Sequence, residues 1–143
     1  MNYDYQQTPF SKGIFVGLFV GITATLACLV YDFIFRLNTG YPLCTFINVA
    51  TIIFASLSFL SVVGLVYHWL SIVRGGVIVF ILFFLSLTVL GLFKTRDIQR
   101  SDNDLINIQF RWLLSGIIII YGICSFFLIP YLHKSKSFEK HVL

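Results

Sequence analysis

Apolar residues come in four long blocks separated by short polar interruptions, and each block reads as a helix. The blocks cover Gly13 to Phe35, Phe46 to Leu70, Gly75 to Phe93 and Trp112 to Leu132, each near or above the ~20 residues that cross a hydrocarbon core. Backbone amides in lipid must be bonded within their own segment, so runs of this length are expected as transmembrane helices. Short connections force consecutive spans to alternate in direction. The expected fold class is therefore all-α, an integral membrane bundle of four transmembrane helices in antiparallel up-down order. The chain divides into a polar N-terminal segment (1–12), a four-helix transmembrane domain (13–132, with spans at about 13–35, 46–70, 75–93 and 112–132) and a basic C-terminal tail (133–143).

The first block carries a pattern of its own. At one residue per ~100° of helix, Gly13, Gly17, Gly21, Ala24, Thr25, Cys28 and Asp32 fall on one face. That face is nearly bare backbone, while Phe15, Phe19, Ile22 and Leu26 cover the other side. Burying apolar surface gains little in lipid, so close backbone approach and weak polar contacts hold transmembrane helices together. Gly13, Gly17, Gly21, Ala24, Thr25 and Cys28 are accordingly the expected helix-packing residues. Their neighbour is expected within the chain, on the second or fourth helix, with another subunit as the alternative.

Local signals place the ends. Thr8-Pro9 suits an N-cap followed by proline in the first turn, so the first helix is expected to begin before the membrane. Asn38-Thr39-Gly40-Tyr41-Pro42 supplies a turn, and a second helix is expected from about Leu43 or Phe46. Its small and hydroxyl residues, Ala50, Thr51, Ala55, Ser56, Ser58, Ser61 and Gly64, wrap around the helix and predict the most enclosed span. Arg74-Gly75-Gly76 then turns directly into a third helix that is large and apolar all round, as a lipid-facing span would be. Ser101 to Asp104 resembles a capping box, predicting a fourth helix from near Asp102 that exposes Leu105, Ile108 and Trp112 before entering the membrane. Pro130 marks its expected end.

Composition agrees with this pattern. Of the 143 residues 58% are hydrophobic and 11% charged, against about 25% charged in soluble domains. The net charge of +4 comes from basic residues beside the spans, the usual position for headgroup contact, and nucleic acid is not an expected partner. Lys12, Arg74, Lys134, Lys136 and Lys140 share one side, and Arg36, Lys94, Arg96, Arg100 and Arg111 the other. This tie leaves the positive-inside rule undecided. Termini in the cytoplasm, with the chain in a bacterial inner or plasma membrane, is the working expectation. Two of the three cysteines, Cys28 and Cys124, lie inside spans, so no disulfide framework is expected.

Candidate chemistry is sparse. Asp32 sits one turn from Arg36, and Arg111 enters the membrane on the same side, so the three are the expected members of an intramembrane ion pair. His68 and His133 leave the membrane on one side. Beside Tyr67, Trp69 and Tyr131 they read as an interfacial belt, and in the rival reading they share a metal or haem. Asp97, Asp102, Asn103 and Asp104 lack the glycine and bidentate glutamate of a calcium loop. No catalytic residue, metal or cofactor is expected. The expected partners are the lipid bilayer and either another membrane protein or a second copy.

Three functional classes follow. The leading one is an accessory or scaffold subunit without catalysis that packs against other membrane proteins. The second is a small homo-oligomeric transporter or exporter. In size, span number and charge balance the chain resembles the small multidrug exporters, whose carboxylate lies near mid-membrane, whereas Asp32 lies near the interface. A redox subunit using the interfacial His site is the third.

Overall fold

The computed structural model describes residues 8–42, 45–99 and 101–135. Leu43, Arg100, Lys136, Lys140 and the rest of the tail beyond Ser135 lie outside them, as do the first seven residues. The chain forms α1 (Pro9–Thr39), α2 (Val49–Ser71), α3 (Gly76–Thr95) and α4 (Asp104–Ile123), then a π-helical turn (Cys124–Leu128) running without a break into α5 (Ile129–Lys134). Taking α4 through α5 as one rod, four helices among the described residues are long and apolar enough to cross a membrane. The protein is a small multi-pass membrane protein with an all-α fold.

α1 begins where Thr8 accepts a hydrogen bond from the Ser11 amide, with Pro9 in the first turn, and ends at Gly40 in the left-handed region (φ 65°). α2 starts with a reciprocal capping box between Asn48 and Thr51, which satisfies two amides that would otherwise lack partners. It therefore starts later than the apolar run suggests. The α2–α3 turn passes through Gly75 at φ 80°. α4 is capped by Asn103, whose side chain accepts from the Leu105 amide, while the Ser101 hydroxyl accepts from the Asn103 amide and the Ser101 backbone bonds the Asn107 side chain.

Pro130 does not end the last helix. The π turn widens the backbone just before it, so that the Ile129 amide bonds the Cys124 carbonyl five residues back. Proline then stands in the first turn of α5, where its missing N–H costs least. The Ser125 hydroxyl bonds the Tyr121 carbonyl at 2.7 Å, satisfying an acceptor in the disturbed stretch.

Packing centres on α1 and α2. Gly13, Gly17 and Gly21 lie on α2 at the level of His68, Leu60 and Leu57, and Gly64 returns the contact against Gly13 and Gly17. A Cβ on Gly17 would stand 2.5 Å from the Leu60 carbonyl oxygen and 2.9 Å from Ser61 Cα. Gly13, Gly17, Gly21, Ala24, Thr25, Cys28 and Asp32 are all buried, whereas Phe15, Phe19, Ile22 and Leu26 are exposed.

The most enclosed span is α1, with 44% of its apolar window buried against 28% for α2 and 17% for α3. This reverses the expectation for α2, whose Ala50, Thr51, Ala55 and Ser58 face outward while Ile52, Ser56, Leu60, Val63, Gly64 and Tyr67 form one buried stripe. Small residues all round the helix had suggested enclosure, yet only the stripe that meets α1 is used.

Two apolar clusters fill the bundle. Toward the termini, Val16, Val20, Leu60, Tyr67, Phe80 and Ile129 pack together. Toward the other end, Cys28, Tyr41, Ile47, Phe110, Leu113 and Ile117 do so. Gly116 leaves room for the Tyr31 ring, which occupies the place a side chain would take, and the Tyr31 hydroxyl donates to the Trp112 carbonyl at 3.0 Å.

Gly17→Leu is expected to abolish the folded monomer, because the obstruction is backbone and cannot yield; the loss should exceed the about 1–3 kcal/mol of ordinary overpacking. Gly91→Ala, whose nearest obstacle is the movable Ile118 side chain at 3.3 Å, should melt close to the parent. Size-exclusion chromatography and thermal circular dichroism in mild detergent read both. A normally folded Gly17→Leu monomer would contradict the packing.

Candidate functional site

The charged group nearest to membrane depth closes a loop. Asp32 and Arg36 are one helical turn apart, and the guanidinium Nε lies 3.0 and 2.9 Å from the two carboxylate oxygens. The remaining nitrogens of Arg36 donate to the Pro42 carbonyl at 2.8 Å and the Ile47 carbonyl at 2.9 Å, on either side of the α1–α2 turn. The guanidinium also lies over the Tyr41 ring, 5.5 Å from its centroid. A planar fork with five donors suits this task, since one group can serve a carboxylate and two carbonyls at once. Asp32 is buried and holds the fork in position.

Arg111, on α4, turns away from this pair. Its Nε donates to the Ile98 carbonyl at 2.9 Å, pinning the α3–α4 connection to the start of the last rod. The three residues grouped by sequence thus serve two neighbouring loops: Asp32 and Arg36 the first, Arg111 the second.

Hydroxyls within the spans are also engaged. Thr25, Ser61 and Thr88 each donate to the carbonyl four residues earlier, a common way of satisfying a hydroxyl in a helix. Two pairs bridge helices: Ser56 with the Tyr121 hydroxyl at 2.8 Å, joining α2 to α4, and Thr95 with Ser115 at 3.2 Å, joining α3 to α4.

At the opposite end, α2 and α5 bring His68 and His133 together with ring centroids 5.9 Å apart. Tyr67 packs edge-on against His133 at 5.0 Å and against Phe80 at 4.9 Å. The Tyr67 hydroxyl and His68 Nδ1 are buried and find no hydrogen-bond partner among the described residues. Among those residues no three His, Cys, Asp or Glu side chains gather as metal ligands would. Trp69 and Tyr131, beside this cluster, point outward as interfacial side chains do.

The chain matches no known family model, curated protein or solved structure. Its functional reading therefore rests on its own geometry.

Sequence reasoning placed the two histidines on one side with Tyr67 beside them, but missed the edge-on packing of Tyr67 on His133 and Phe80 and the Ser56–Tyr121 bridge. Both involve residues far apart in the chain, and Tyr121 sits in an apolar run where a lone tyrosine carries no pairing signal.

Arg36→Lys should destabilise the protein more than Asp32→Asn. Lysine cannot span both loop carbonyls, whereas asparagine keeps an acceptor for Arg36. Losses near 3 and 1 kcal/mol, respectively, are expected from hydrogen bonds involving charged groups. Thermal unfolding in detergent, together with hydrogen exchange at residues 40–48, checks the order; a larger effect of Asp32→Asn would refute the clamp.

Proposed function

We propose that this small polytopic membrane protein acts without catalysis, as an accessory or scaffold subunit that packs against other membrane proteins. The observation that carries this reading is how its intramembrane polar groups are spent. The Asp32–Arg36 pair is committed to the α1–α2 loop, and the span hydroxyls named above bond to their own helices or to the neighbouring one. A transporter uses its buried carboxylate to take up and release a proton or a substrate. A carboxylate chelated by a guanidinium that also holds two loop carbonyls is suited to fixing structure.

The glycine face of α1, for which another subunit was the alternative neighbour, is occupied by α2. The surface offered outward is α3, the least enclosed span. Val79, Leu82, Ser86, Val89 and Phe93 lie along one exposed side of it. In this reading the protein sits in a bacterial inner or plasma membrane with its termini in the cytoplasm, and α3 meets the partner.

Affinity purification from native membranes in mild detergent is expected to retain one membrane protein at constant stoichiometry. Leu82→Ala and Phe93→Ala should reduce that retention several-fold while leaving the melting temperature unchanged, since both side chains are exposed. Substrate-driven proton movement in proteoliposomes, lost in a folded Asp32→Asn variant, would overturn the proposal in favour of transport.

A further inference from the structure

A lateral cleft of about 390 Å³ runs along α3 and α4, with Phe59 the one α2 residue that lines it. Phe59 and Phe84 close its inner end, Leu87, Gly91 and Ile118 line its length, and Lys94 stands at its outer end. The aromatic closure is tight: the Phe59 ring lies 6.5 Å from that of Phe84 and 6.0 Å from that of Tyr121, centroid to centroid.

Three properties of this cleft point to the same occupant. Its length is set by α3 between Phe84 and Lys94, ten residues or about 15 Å of axial rise, which is half of a ~30 Å hydrocarbon core and so the depth of one leaflet. Its walls offer no free polar group to a ligand. The Thr88 hydroxyl is bonded to the Phe84 carbonyl, that of Ser125 to the Tyr121 carbonyl, and that of Tyr121 to Ser56. Its outer end is cationic, for Lys94 is exposed in the last turn of α3 and makes no ion pair among the described residues.

We propose that the cleft holds one acyl chain of an anionic phospholipid, with the headgroup phosphate against Lys94. An apolar channel one leaflet deep with a cation at headgroup level matches the distribution of charge and hydrocarbon along such a lipid. This assignment stands apart from the accessory role, because it concerns the bilayer leaflet beside α3 and not a protein partner.

The test uses the full chain reconstituted in vesicles of equal parts phosphatidylcholine and phosphatidylglycerol, extracted in mild detergent, with bound lipid counted by native mass spectrometry. One retained phosphatidylglycerol per chain is expected. Lys94→Gln should lower the preference for phosphatidylglycerol over phosphatidylcholine by about five-fold, the effect of one lysine near an anionic headgroup. Arg74→Gln, in the turn at the opposite end, should leave that preference unchanged. Leu87→Trp, which fills the cleft, should remove the retained lipid while the circular dichroism spectrum stays helical. Should Leu87→Trp fail to fold, Lys94→Gln alone decides. The proposal is overturned by equal retention of the two lipids in the parent, by retention indifferent to Lys94→Gln, by a folded Leu87→Trp variant that still holds lipid, or by a lipid-free dimer with the cleft covered by a second copy.

Discussion

The bundle depends on one close approach, the crossing of α1 and α2 over Gly13, Gly17, Gly21 and Gly64. Apolar side chains gain little by leaving lipid for a protein interior, so the association must draw on van der Waals contact between backbones and on hydrogen bonds that lipid cannot offer. Four glycines on two helices allow the first. The Arg36 fork supplies the second at the end of the crossing, by tying the carbonyls of the intervening turn to the helix that precedes it. Contact and clamp act on the same pair of helices, which makes α1–α2 the rigid half of the molecule.

The other half is added to this pair with less intimate contacts. α4 and its extension lie along α1, with the Tyr31 ring taking the space left by Gly116, and α3 reaches the rest through the Thr95–Ser115 bridge, Phe84 and its short turn from α2. Burial falls from α1 to α3 accordingly. The helix with the bulkiest side chains is the one most exposed to lipid. Along its seam with α4 runs the cleft that Lys94 overlooks. Tight packing on one side and an open groove on the other thus have one origin, the unequal distribution of small residues among the spans.

Much of this was legible in the chain because membrane spans obey few rules. Length and polarity fixed four helices, and the period of the glycines fixed which face of α1 is buried. The turn glycines and the Thr8-Pro9 start act within a few residues and are readable for the same reason. What escaped notice involves selection among equivalent candidates. α2 has small residues on every side, and only the partner decides which stripe is used. Asn103 and Ser101 both carry a capping oxygen, and the path of the connection selects: the Ser101 hydroxyl takes the Asn103 amide and its backbone the Asn107 side chain, leaving Asn103 to cap α4. Pro130 breaks an ideal helix but not one already widened at Cys124 to Leu128. The cleft left no trace in the sequence, since it is formed by residues of α3 and α4 that are distant along the chain.

The π turn has a bearing on the far end of the chain. It contains one residue more than an α-helical path would use, and a surplus residue rotates everything downstream by about 100°. Ile129 and His133, which follow it, owe their bearing to that offset, and with it comes the meeting of His133 with Tyr67 and His68. The histidine pair is thus a matter of angular phase, set some two turns upstream by a slack loop of backbone rather than by the side chains that touch.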